Sequence, residues 1–387
     1  MSFSSQTIHP GSTLGMLGGG QLGRMALLAG RQLGYRFHVY EPASNCSAAA
    51  VAEKTFSADW SNETALEEFA RSVSAVTLEF ENVPAATLAY LEKRVPARPG
   101  LRVLQTCQNR RREKEFLRRH GFPCADFAVV NSAKQLAKAV KKLGLPCVMK
   151  TAVSGYDGKG QLKLPAFPAD GVVDWDVVWR TFGVAEAVVE KWIPFTAECS
   201  VIVARSVRGE MATFPMAENE HCQHILHRSI APARLPAKVQ RAGAELAKEI
   251  AEKIGVVGLL AVEMFYLNGK LLVNELAPRP HNSGHYTLDA CLTSQFEQHI
   301  RCAAGLPLGA PDLLRPAVMI NLLGDCWRNG RAPDWSNLLK DPRVKLHLYD
   351  KGEPRSGRKM GHFTVVDEKI DRAIKLADRL YAELVQV

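Results

Sequence analysis

The run LAVEMFYLNGKLLVNEL, residues 260–276, reads as two apolar strands meeting at Asn268-Gly269, with a carboxylate set into each, Glu263 and Glu275. A carboxylate inside an apolar strand is costly unless it is paired or bound to a metal. A two-residue turn would set Glu263 opposite Asn274 and throw Glu275 onto the other face, because strand side chains alternate. A three-residue turn, with Gly269 left-handed, would put both glutamates on one face. That second arrangement suits magnesium, which takes one or two carboxylates and completes its shell with substrate phosphates. The plainer account is an ion pair to a nearby Lys or Arg.

Upstream, KTAVSGYDGKGQ (residues 150–161) joins two expected antiparallel strands, 146–150 and 161–164. Its glycines, Gly155, Gly158 and Gly160, let backbone amides wrap oxygens, while Lys150 and Lys159 supply point charges. No GK[ST] opens a helix here, so this is not a Walker A loop. Lysines on both sides favour a cover over a triphosphate rather than a bare surface hairpin.

Another glycine loop comes first in the chain. Gly18-x-Gly20-x-x-Gly23 follows an expected strand, 13–17, opens a helix, 21–33, and is followed by Glu41 at the end of strand 36–40. Spacing and context satisfy a dinucleotide fingerprint. Its physical content is narrower, since amides at a helix N-terminus accept any well-placed anion. A dehydrogenase has no use for a second lysine-flanked glycine loop and a pair of hairpin carboxylates, so the loop indicates an anion without indicating NAD.

With a further strand at 75–80, the opening is a Rossmann-like, doubly wound parallel domain of the α/β class. Helices at 111–120 and 134–143 alternate with strands 127–130 and 146–150, implying a small α+β domain. Strands 188–191, 198–205 and 212–216, a helix 237–254 and the hairpin form a third domain, also α+β. The expected division is 1–112, 113–189 and 190–387. The basic run Arg110-Arg111-Arg112-Glu113-Lys114 reads mostly as a solvated helix face.

A chain of 387 residues exceeds one hydrophobic core, and 47% hydrophobic with 23% charged residues is ordinary globular composition. Nine cysteines, odd in number and without a CxxC pair, fit reduced thiols in a cytoplasmic protein. The opening MSFSSQTIHPGS is polar, and no apolar stretch approaches membrane-spanning length. The net charge of +9 is spread along the chain, which points to anionic small substrates and away from nucleic acid. His221, Cys222, His224 and His227 invite a zinc reading, but no further Cys or His cluster completes a set, and a polar loop near the nucleotide accounts for them as well.

Five runs carry a resemblance: GGGQLGRM (18–25), EFENVP (79–84), GYDGKGQ (155–161), NELAPRPHNSGH (274–285) and GRKMGH (357–362). The chain resembles the ATP-grasp superfamily and, within it, the N5-carboxyaminoimidazole ribonucleotide synthetases, from about residue 13 to 385. The resemblance implies a three-domain ATP-grasp architecture with the middle domain as a lid. It also implies a carbon–nitrogen ligase using ATP, Mg²⁺ and bicarbonate, with 5-aminoimidazole ribonucleotide as acceptor, acting as a homodimer in purine biosynthesis.

By matching motif, ATP would be surrounded by Arg110, Lys150, Gly155, Tyr156, Asp157, Gly158, Lys159, Gly160, Gln161, Glu190, Lys191, Trp192, Ile193, Glu198, His221, Asn274 and Glu275. Glu263 and Glu275 would hold magnesium. Tyr156, Asp157, Lys159 and Lys351 would orient bicarbonate and steady carboxyphosphate. The acceptor would meet Gly20, Gln21, Leu22 and Glu79 on one side, Asn282, Ser283 and Gly284 on another, and Lys351, Arg358 and Lys359 at its phosphate. Lys159 stands where an arginine is common in the family, keeping charge but losing bidentate geometry. The alternatives are another ATP-grasp ligase, of formate-dependent transformylase or biotin carboxylase type, and a nucleotide-binding regulatory protein without turnover.

Overall fold

The computed structural model describes residues 6–153, 160–164, 173–328 and 330–386, arranged around three sheets. The first is all-parallel: β1 (Thr13–Leu17), β2 (Arg36–Tyr40), β3 (Lys54–Phe56) and β4 (Ala75–Leu78), in the order β3-β2-β1-β4. Helices Gln21–Gln32 and Glu63–Ser72 make the crossovers. Asn62 caps the second by accepting from the Ala65 amide at 3.0 Å. β4 ends at Leu78, so Glu79 and Phe80, expected inside the strand, sit just past its carboxyl end. That end of an open parallel sheet is where ligands bind.

The second sheet is antiparallel, with β5 (Phe127–Val130), β6 (Cys147–Thr151), β7 (Gln161–Leu164) and β8 (Ala187–Lys191) in the order β5-β8-β6-β7. The expected pairing of 146–150 with 161–164 is present, as Lys150 faces Gln161. Helices Ala133–Leu143 and Trp175–Phe182 cover one face, where Leu136, Val140 and Trp179 pack on Met149 and Val189. Gly155, Tyr156, Asp157, Gly158 and Lys159 lie outside the described residues.

The third sheet has nine strands: β9 (Ala197–Arg205), β10 (Met211–Thr213), β11 (Ala217–Cys222), β12 (Ile225–Ala231), β13 (Gly258–Leu267), β14 (Lys270–Ala277), β15 (Ala317–Leu323), β16 (Val344–Leu348) and β17 (Lys359–Val366). Their order is β14-β13-β9-β11-β12-β15-β17-β16, with β10 on β9. Helix Ala237–Ile254 lies across β9 and β13 through Ala247, Ile250 and Ile254, and stops at Gly255, whose φ of 76° is left-handed. Helix Gln295–Ala304 joins this body to the first domain, because Phe296, Ile300 and Ala304 share a core with Met25, Ala26 and Phe37. Helix Arg110–Arg119 and strand β8 each straddle an expected domain limit, at 112 and 189.

Candidate active site

The hairpin meets neither sequence alternative unchanged. Asn268 (φ 48°) and Gly269 (φ 81°) form a two-residue turn with Leu267 paired to Lys270, which by simple alternation separates the glutamates. The register then shifts: Met264 faces Val273 but Glu263 faces Glu275, leaving Asn274 as an extra residue on β14. A β-bulge, and not a longer turn, brings both carboxylates to one face.

The bulge is held from behind by helix Arg110–Arg119. Lys114 Nζ donates to the Asn274 carbonyl at 2.9 Å, and Glu113 Oε2 accepts from the Leu276 amide at 2.9 Å. This corrects the reading of the basic run as mostly solvated. Arg111 and Arg112 are exposed, but Glu113 and Lys114 are buried and the Arg110 side chain is only 14% exposed.

Those inward groups form one charge cluster. Glu190 forms ion pairs with Lys114 at 3.2 Å and Lys150 at 3.3 Å, and Lys150 also reaches Asn274 Oδ1 at 3.4 Å. Burial alone would raise the Glu190 carboxyl, but Lys114, Lys150 and Arg110 outweigh it and hold it at about 2. Burial lowers the Lys150 ammonium, with Glu190 opposing. The result is a fixed cationic floor in front of the two hairpin carboxylates. Arg110 lies 3.5 Å from Glu275, and His281 lies 2.8 Å from Glu263. Glu263 is drawn well below the usual carboxylate range, since His281, His221 and Arg279 overcome its burial. Two carboxylates facing one another across a bulge are a donor set that fits magnesium completed by phosphate oxygens.

A cavity of about 1330 Å³ opens between the three sheets. Of the expected nucleotide residues it is lined by Arg110, Lys150, Gly160, Gln161, Glu190, Lys191, Trp192, Ile193, Glu198, His221, Asn274 and Glu275, together with Glu263. Lys191–Ile193 carry the chain from the second sheet toward the third. Phe195 and Phe265 stack at 4.7 Å, and Lys163 lies 3.9 Å over the Trp192 ring, so flat apolar surface and positive charge share this wall. None of those aromatic contacts is signalled by the glycine motifs.

The first glycine loop holds an anion, and the anion belongs to the chain. Glu79 accepts from the Gly20 amide and, at 2.8 Å, from the Gly23 amide, while Glu41 accepts from the Gly19 amide at 3.0 Å. Burial raises the Glu79 carboxyl, and the two amides and Lys351 pull against that rise. A Cβ on Gly20 would stand 2.5 Å from Glu79 Oε1, so only glycine permits this approach. A dinucleotide pyrophosphate would have to displace both carboxylates. NAD and NADP should therefore show no saturable binding by calorimetry. Tight NAD binding that is lost on replacing Gly20 would contradict this assignment.

Gln21, Leu22, Glu79, Asn282 and Lys359, expected to face the acceptor, line the same cavity. The Asn282 amide nitrogen and oxygen are both buried without a hydrogen-bond partner among the described residues, as expected of a group reserved for a ligand. Gly20, Ser283, Gly284, Lys351 and Arg358 are not among the lining residues. Arg358 Nη1 instead donates to the Glu353 carbonyl at 2.9 Å. Sequence reading missed the ion pair of Arg279 with Glu81, which ties the EFENVP segment to the hairpin, and it missed His281. Both lie inside the quoted motifs, but nothing in their spacing assigns partners.

The histidine cluster is a β-hairpin and not a polar loop. Gln223 (φ 49°) and His224 (φ 68°) form the turn between β11 and β12. His221 meets Glu198 at 2.6 Å, His224 meets Gln161 at 3.2 Å, and the His227 ring packs edge-on to Tyr381 at 4.8 Å. Three side chains with three different partners do not make a zinc site. Although burial opposes it, the hydrogen bond and charge of Glu198 raise the His221 imidazole.

Residues 12–108 match the ribonucleotide synthetase preATP-grasp domain, 115–296 the ATP-grasp domain, and 317–376 the phosphoribosylaminoimidazole carboxylase C-terminal domain. The N5-carboxyaminoimidazole ribonucleotide synthase of Bacillus subtilis is 43% identical over 96% of this chain and 96% of its own length. The bifunctional purine synthesis protein purC/E of Dictyostelium discoideum is also 43% identical over 93% of this chain, which spans 38% of that longer protein. The Aspergillus clavatus N5-carboxyaminoimidazole synthase, solved with ADP and 5-aminoimidazole ribonucleotide, superposes with a TM-score of 0.86 at 29% identity, over 99% of this chain and 100% of that one. With its three sheets, its bulged carboxylate hairpin and these relatives in agreement along its length, the chain belongs to the N5-carboxyaminoimidazole ribonucleotide synthase family of ATP-grasp ligases.

Proposed function

We propose that the protein carboxylates 5-aminoimidazole ribonucleotide with bicarbonate at the expense of ATP, giving N5-carboxyaminoimidazole ribonucleotide, ADP and phosphate. The observation that supports this best is the single cavity shared by the Lys150–Glu190 cluster, the hairpin carboxylates and the partnerless Asn282 amide.

Lys150 and Arg110 receive the nucleotide phosphates, Glu190 holds the Lys150 ammonium in place, and Lys191, Trp192 and Ile193 lie at the base, with Glu198 and His221 beside them. Glu263 and Glu275 hold magnesium, which when bound neutralises phosphate charge. A bicarbonate oxygen attacks the γ-phosphorus and the bond to ADP breaks, leaving carboxyphosphate. The exocyclic amine of the acceptor then takes the carboxyl carbon, directly or as CO₂, and the carbon–oxygen bond to phosphate breaks. The protein contributes positioning and charge here, not a covalent intermediate. Tyr156, Asp157, Lys159 and Lys351 are assigned to bicarbonate and carboxyphosphate. Gln21, Leu22, Glu79 and the Asn282–Gly284 turn are assigned to the acceptor, and Arg358 and Lys359 to its phosphate.

Bicarbonate labelled with ¹⁸O tests the order of steps. The released phosphate should carry one labelled oxygen by mass spectrometry, and unlabelled phosphate would rule out attack by bicarbonate. All nine cysteines are free, which supports a cytoplasmic setting, and no described helix is long and apolar enough to cross a membrane. A homodimer is proposed on the family resemblance alone. The divisions near 112 and 189 are proposed on the ground that each segment centres on one sheet.

A further inference from the structure

His281 touches both halves of the site. Its Nε2 lies 2.8 Å from Glu263 Oε1, and its Nδ1 lies 2.8 Å from Ser283 Oγ. Behind Ser283 the hydrogen bonds continue inward: Ser283 Oγ to Ser200 Oγ at 2.7 Å, Ser200 Oγ to Asn219 Nδ2 at 3.0 Å, and Asn219 Oδ1 to Ser229 Oγ at 2.8 Å.

The donor inventory orients this chain. The Ser283 backbone N–H donates to His281 Nδ1 at 3.3 Å, which makes that nitrogen an acceptor. The Ser283 hydroxyl must therefore donate to it too, the Ser200 hydroxyl donates to Ser283, and Ser200 accepts from Asn219 Nδ2. The imidazole then points an N–H from Nε2 at Glu263. Every donor runs toward the carboxylate. Ser200, Asn219, Ser229 and Ser283 are buried, which shields these protons from solvent, although Asn219 borders the cavity. The backbone of His281 is fixed as well, because its N–H donates to Gln295 Oε1 at 2.9 Å and its carbonyl accepts from Gln295 Nε2 at 2.8 Å.

Asn282 stands between His281 and Ser283 in sequence, on one short 3₁₀ turn, Asn282–Gly284. It is the residue whose buried amide lacks a partner and whose side chain lines the cavity. A ligand that fills those two hydrogen bonds therefore orders the residue joining the two ends of the His281–Ser283 bond, and so the N–H aimed at Glu263.

We propose that His281 is a positioning residue that couples occupancy of the Asn282 wall to the carboxylate of Glu263, so that the acceptor and the magnesium–nucleotide complex bind cooperatively. The proposal rests on the reading of the site given under Proposed function. Such coupling is reciprocal, each ligand tightening the other by the same factor. Its use is to keep ATP from being cleaved before an acceptor is in place.

The test is calorimetric titration of the full chain with 5-aminoimidazole ribonucleotide, with and without magnesium and the β,γ-imido analogue of ATP. The wild-type ratio of the two dissociation constants should be about fivefold or more, a typical allosteric coupling. His281→Gln keeps an amide N–H for Glu263 but offers Ser283 no ring nitrogen, and His281→Asn does the reverse. Each should bring the ratio toward one. A merely structural role would weaken both titrations alike and leave the ratio standing. If either histidine variant fails to fold, Ser283→Ala removes one hydroxyl from the chain and must lower the ratio too. Ratios that persist in the folded variants overturn the proposal, as does a wild-type ratio of one. A wild type that does not bind the ribonucleotide at all overturns the site reading itself.

Discussion

Glu275→Gln should abolish turnover while the protein still folds and melts within a few degrees of wild type. The substitution keeps the size of the side chain and an oxygen for Arg110, and removes only the charge. The Arg110–Glu275 contact is long at 3.5 Å and the Glu275 side chain is 37% exposed. A partly exposed pair of that kind is worth roughly 0 to 1 kcal/mol. On the proposed magnesium role, losing one of the two carboxylates costs several kcal/mol of transition-state stabilisation, about a thousandfold in rate. The effect on catalysis should therefore exceed the effect on stability by a wide margin. The check is steady-state ADP release beside a thermal melt of the same preparation. Near-wild-type activity with an unchanged melt would remove Glu275 from the metal site and return the hairpin glutamates to simple ion pairing.

Lys351→Ala should lower turnover by about a hundredfold or more, the usual cost of deleting one fixed donor to a developing anion, with ATP affinity little changed. Lys351 lies three residues beyond β16, and its charge reaches Glu79, whose carboxyl it helps pull down against the effect of burial. That sets it near Glu79 and the first glycine loop, on the side proposed for the acceptor. A residue serving carboxyphosphate acts after the nucleotide is bound, so kcat should fall while the ATP dissociation constant stays close to wild type. Parallel loss of ATP binding would move Lys351 to the nucleotide site.

The strands bordering the site were legible because their runs are short and bounded by turn residues such as Gly, Pro, Asp or Asn. Thr13–Leu17, Arg36–Tyr40, Phe127–Val130 and Gln161–Leu164 all fall where the pattern puts them. The hairpin shows where local reading ends. Period-two counting across Asn268-Gly269 gives the wrong face for Glu275, because the bulge at Asn274 is stabilised by Lys114 and Glu113, distant in sequence. The burial of Lys114 was hidden for the same reason: its partner Glu190 arrives from β8. The fingerprint at Gly18–Gly23 was legible as an anion site but not as an occupied one, since Glu79 comes from the end of another strand. Pairings such as Arg279 with Glu81 have no periodic signature at all. Residue types could be read from the sequence, while their partners required the fold.

The most direct measurement is a coupled assay of ADP release in the presence of ATP, magnesium and bicarbonate, with and without 5-aminoimidazole ribonucleotide. ADP should form rapidly only when bicarbonate and the ribonucleotide are both present, with one N5-carboxylated ribonucleotide made per ADP. ADP release that ignores the ribonucleotide, or that requires formate in place of bicarbonate, would contradict the assignment.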